Sequence, residues 1–119
     1  MQILSADGLV VAETKNRSVT VTFTFSSTLE LSEGKIGFVA VSNSGRYVSI
    51  AKQREPTLQI FSLDLNLSTW LEECTIILPG VSAMQWYEEA IVPELIITLK
   101  SGRVCRLFCW SNGWELCDL

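Results

Sequence analysis

Six of the nine Lys and Arg residues fall in three pairs: Lys15 with Arg17, Lys52 with Arg54, and Lys100 with Arg103. Closely spaced cations make a positive patch that attracts carboxylate or phosphate groups, so three such patches on one surface would steer an acidic or phosphorylated segment toward it. Four tryptophans, Trp70, Trp86, Trp110 and Trp114, are many for 119 residues. Large aromatic side chains anchor interfaces when exposed and fill cores when not. Trp114, beside the turn-forming Asn112-Gly113, and Trp70, in the least regular stretch, are the candidates for partner contact. Trp86 and Trp110 instead continue apolar strand faces and read as filling.

Other chemistry is thinly represented. The chain has no His, which removes Ser-His-Asp and Cys-His pairs, His-containing zinc sites and the usual near-neutral pH switch. Cys74, Cys105, Cys109 and Cys117 show no C-x-x-C spacing, so they read as reduced thiols with no metal. Cys105 and Cys109 share a strand face about 13 Å apart, too far for a disulfide. With Asn112-Gly113 as a two-residue loop, Cys109 faces Leu116 and Cys117 faces Phe108, which puts those thiols on opposite faces. A longer loop shifts the register by one and brings them onto one face. Glu88 and Glu89 point apart if extended, which suits no acid/base couple, and Gly34-Lys35-Ile36-Gly37 lacks the spacing of a phosphate loop. The expectation is a protein that is not an enzyme and carries no cofactor.

These residues need a scaffold to position them. A length of 119 residues suits one domain, and 48% hydrophobic against 18% charged residues suits a buried core. A formal charge of -4 gives no global attraction for nucleic acid. No basic leader and no run of about 20 apolar residues occurs, so the expected setting is cytoplasmic with no membrane span. The sequons at Asn16 and Asn66 then read as accidental.

Val19, Val21, Phe23 and Phe25 alternate with threonines, the clearest strand signal in the chain. Further β-branched and aromatic runs lie at 9–12, 38–41, 47–51, 58–63, 75–78, 95–99 and 104–110, separated by turn formers such as Asn43-Ser44-Gly45, Pro79-Gly80 and Ser101-Gly102. Residues 68–73 could form a helical turn or begin a strand. The pattern also repeats. Ser5-Ala6-Asp7-Gly8 and Ser42-Asn43-Ser44-Gly45 occupy equivalent places, and 9–23 lies over 47–61 without a gap. A looser third copy runs through 95–108. The units fall near 1–33, 34–79 and 80–119, each with four short strands a to d, the first lacking most of strand a.

Val39-Ala40-Val41-Ser42-Asn43-Ser44-Gly45, followed by a strand pair over 47–63, resembles strand a and the serine-x-x-glycine turn of the WD-repeat β-propellers. The resemblance departs where the family's Gly-His is absent and where Phe61-Ser62 and Trp110-Ser111 stand in place of Trp-Asp. More narrowly, 35–119 is similar to the closing blades of WD-repeat proteins that anchor microtubule minus ends at spindle poles and centrosomes. The resemblance implies all-β blades in a partial ring. In such blades the b-to-c turns and the inter-blade connections emerge on one side, which would carry the six cations. The a-to-b and c-to-d turns, with Asp7, Asp64, Glu88, Glu89 and Glu94, would make the other side acidic.

Three blades cannot close a ring, so further blades from the same parent chain or from another subunit must cover the open faces. The expected role is a noncatalytic protein–protein interaction scaffold in a larger assembly, with Lys15, Arg17, Lys52, Arg54, Lys100, Arg103, Trp70 and Trp114 as contact residues. The alternative that many short strands also allow is a closed β-sandwich binding a small ligand or sugar through exposed aromatics.

Overall fold

The computed structural model describes residues 2–4, 10–15, 18–23, 27–31, 36–52, 56–64, 66–67, 69–88 and 92–118, with side chains described from Phe38 onward. The elements among them are all strands: β1 (Gln2–Leu4), β2 (Val10–Lys15), β3 (Ser18–Phe23), β4 (Ser27–Leu31), β5 (Ile36–Val41), β6 (Tyr47–Lys52), β7 (Thr57–Asp64), β8 (Thr69–Ile77), β9 (Val81–Tyr87), β10 (Glu94–Leu99), β11 (Val104–Trp110) and β12 (Gly113–Asp118). They pair antiparallel into three four-stranded sheets in strict chain order, β1 to β4, β5 to β8 and β9 to β12. No helix among the described residues is long and apolar enough to cross a membrane.

The middle sheet explains itself through burial on both faces. Along β6 the residues Tyr47, Val48, Ser49, Ile50 and Ala51 are all buried, a near-continuous run and not the alternation of a half-solvated strand. Cross-strand partners sort them by face: Ser49 pairs with Ile60 and Ala51 with Leu58, whereas Val48 pairs with Phe61. Tyr47, Ala51, Leu58 and Ile60 pack into one cluster with Trp86, Leu95, Ile97, Cys105 and Leu107 of the third sheet. Val48, Ile50, Phe61 and Leu63 are buried on the other face. Each fully buried Leu or Ile contributes about 1.5–3 kcal/mol relative to exposure, so these two faces hold the sheets together. Between sheets, β5 lies against β9, β1 and β2 lie against β5, and β4 lies against β8.

Three details resolve what the sequence left open. Residues 69–77 form a strand and no helical turn, because β7 offers a full ladder from Asp64–Thr69 to Thr57–Ile77. Within it Ile60 pairs with Cys74 and Phe61 with Glu72, so Glu73 is an extra residue bulged out of register. Strand a of the first unit is present but short, as the three residues of β1. The last hairpin turns at Ser111-Asn112 and not at Asn112-Gly113, since Trp110 pairs with Gly113. Gly113 takes φ 141° as it enters β12, a conformation that costs a glycine little.

Candidate interaction surface

The end of β6 with the start of β7, and the turn between β10 and β11, lie on the same side. A short strap, Leu78 to Gly80, joins the middle sheet to the third and runs past both. The Leu78 N–H donates to the Pro56 carbonyl at 2.8 Å, and the Lys100 N–H donates to the Gly80 carbonyl at 2.6 Å. Gly80 takes φ 75°, which lets the chain turn here. Lys52, half-buried at the end of β6, and exposed Lys100 and Arg103 therefore flank one strap. The turn bearing the last two is closed by Leu99 N–H to the Arg103 carbonyl at 2.8 Å and Gly102 N–H to the Leu99 carbonyl at 2.9 Å.

The six cations are not equivalent. The Arg103 guanidinium is spent on Asp118, with Nε and Nη2 at 2.7 and 2.6 Å from Oδ1, and this partner pushes its pKa up. Lys15 closes β2 and is described by its backbone alone, while Arg17 and Arg54 lie outside the described residues. The opposite side carries acids in structural roles. Glu88 accepts from the Ser44 N–H at 2.8 Å and from its hydroxyl, tying the β5–β6 turn to the end of β9. Asp64 accepts from the N–H groups of Asn66 and Leu67 at 3.0 and 3.2 Å, an Asx turn. Asp7 and Glu89 lie outside the described residues.

The tryptophans sort differently from expectation. Trp114 is not an exposed anchor: it pairs with Cys109 on the face toward the middle sheet and meets Tyr47 and Trp86 edge-on at 5.8 and 6.1 Å. Trp86 stacks on Tyr47 at 5.3 Å, and its Nε1–H donates to the Ala40 carbonyl at 3.3 Å. Trp70 is half-buried opposite Leu63, and its Nε1 is buried without a partner among the described residues. The exposed tryptophan is Trp110, at 42%. The signal for this lay in Trp110 sharing a strand face with Arg106, the opposite face from Cys105 and Leu107.

The thiols are free, and Cys109 and Cys117 point to opposite faces, because Cys117 pairs with Arg106 while Cys109 pairs with Trp114. Burial, then Glu73, pushes the Cys74 thiol up to about 11; burial likewise raises Cys109 and Cys105. Burial, then the neighbouring Cys109, also raises Tyr47. No group of three or more metal-ligating side chains occurs among the described residues.

No family model matches the chain, and no curated protein matches it. Among solved structures, it is similar to a putative 6-phosphogluconolactonase from Bacteroides fragilis. The TM-score is 0.70 and the sequence identity 12%, over 100% of this chain and 37% of that one. A likeness at this identity shows a shared fold, and the chain spans little more than a third of that protein. It also corrects the expectation that this chain is not an enzyme. A missing histidine removes only histidine-dependent chemistry, and the same arrangement of strands occurs in a protein classed as a lactonase.

Proposed function

We propose that the chain is a protein–protein interaction platform built from consecutive WD-repeat-like propeller blades, and that its basic side receives an acidic or phosphorylated segment. The observation that carries the reading is the Leu78–Gly80 strap, whose backbone bonds to Pro56 and Lys100 bring Lys52 and Lys100 to one side. The propeller form is supported by the middle sheet, buried on both faces, and by the succession of first strands β1, β5 and β9 as neighbours. A two-layer sandwich buries one face of each sheet, so a middle layer favours radial stacking. The narrower resemblance points to an assembly at spindle poles as the setting.

The test is capture of a labelled phosphopeptide by the chain at low and high salt. Exposed or half-exposed cations act through screened attraction, so binding should weaken as the Debye length falls from about 30 Å at 0.01 M toward about 8 Å at 0.15 M. Lys52→Glu with Lys100→Glu should abolish capture at low salt. Capture unchanged by the double reversal removes the proposal.

A further inference from the structure

The face of the third sheet turned away from the middle sheet is half-buried along its two central strands and exposes large aromatics, Tyr87 and Trp110, around them. Its register sets Ile96 beside Arg106, Thr98 beside Val104 and Glu94 beside Phe108, all half-buried. Phe108 and Trp110 lie 5.7 Å apart, and the Arg106 guanidinium sits 5.1 Å over the Phe108 ring and 4.0 Å from Glu94. Arg106 Nε is buried and has no acceptor among the described residues. Buried polar atoms are normally hydrogen-bonded, so this face has the marks of one completed by another element.

Continuity says which element. β5 of the middle sheet lies on β1 of the first, and β9 of the third lies on β5. One more step of the same relation places a sheet equivalent to the first against the outer face of the third, and the chain's own first sheet, on a second copy, is available for it. Area decides between an open chain and a closed pair. Four strands about 4.8 Å apart and about six residues long present roughly 400 Å² per face, or about 800 Å² per junction. One such junction is no larger than a crystal-packing contact, whereas a closed pair has two junctions and about 1,600 Å², the usual size of a stable interface. Closure also leaves no outer face in water, which an open array does. We propose that two copies of this chain close head-to-tail into a ring of six sheets, the first sheet of each covering the third sheet of the other. The proposal rests on the propeller reading.

Sedimentation equilibrium of the 119-residue chain tests it. The expected result is a species of twice the 13.3 kDa chain mass that does not grow further. Phe108→Glu and, separately, exposed Trp110→Glu should convert it to monomer with an unchanged far-ultraviolet circular dichroism spectrum. A monomer at all concentrations, open-ended polymers, or a dimer indifferent to both variants would overturn the proposal. Thiol labelling separates this failure from that of the propeller reading. If the chain is monomeric but Cys117, on the outer face, labels faster than fully buried Cys105, the sheet order stands and only ring closure falls. If Cys105 labels as fast, the sheet arrangement falls with it.

Discussion

Trp86 packs between the middle and third sheets, and replacing it by alanine tests the packing that the other claims assume. Its ring is 6% exposed, stacks on Tyr47, receives the edge of Trp114 and donates to the Ala40 carbonyl across the gap between β9 and β5. Truncating a buried Trp to Ala costs about 3–5 kcal/mol through lost transfer energy and the cavity left behind. Each aromatic pair contributes about 0.5–1.5 kcal/mol of that beyond area, and the hydrogen bond about 1 kcal/mol. A domain of this length has about 6–18 kcal/mol in total, so Trp86→Ala should remove a large fraction of the stability without abolishing folding. Trp86→Phe keeps a ring but loses the donor to Ala40, and should cost about 1–2 kcal/mol. Urea denaturation followed by circular dichroism gives both values. Ile77→Ser, at a side chain 79% exposed, is the control and should fall within about 0.5 kcal/mol of the parent. Should Trp86→Ala cost no more than that control, the inter-sheet cluster is not a core and the reasoning fails.

Arg103→Gln should leave the thermal melt close to that of the parent, because its ion pair with Asp118 is exposed and screened. Gly80→Ala should cost about 1 kcal/mol, since the added Cβ meets only ordinary contact with Lys100 Cβ at 3.8 Å while the backbone is held at φ 75°. The Cys74 thiol, raised from 9.0 to about 11, binds its proton more tightly folded than unfolded. Its contribution to stability is therefore fully present below pH 9 and is lost as pH rises toward 11, a decline that Cys74→Ser should flatten in urea titrations across that window.

Strand order was legible in the sequence wherever both local chemistry and burial agreed. Tyr47 to Ala51 is β-rich and entirely apolar or small, and it became a strand buried on both sides. Residues 68–73 were ambiguous because Trp70-Leu71-Glu72-Glu73 satisfies neither period, and the reason is physical: the bulge at Glu73 breaks the two-residue alternation that would have announced the strand. The last hairpin misled for a related cause. Asn-Gly is the preferred two-residue loop, but glycine at a strand entry with φ 141° is equally comfortable, and composition alone does not distinguish the two registers.

The candidate surface was legible only as a list of cations and not as their states. Lys100 and Arg103 stand three residues apart and look interchangeable in sequence, yet one is exposed beside the strap and the other is bound to Asp118, a partner fifteen residues on that only the β11–β12 register brings near. The same register decides the tryptophans. Counting from Cys105 and Leu107 inward-facing, Cys109 and its partner Trp114 must face the middle sheet, and Trp110 must face away. An aromatic next to a turn is therefore no guide to exposure. What fixes it is the parity of the hairpin, which is the same for an Asn112-Gly113 loop and for the observed Ser111-Asn112 turn: both set Trp114 on the face of Cys109 and leave Trp110 on the other, the face where a second copy is expected to close.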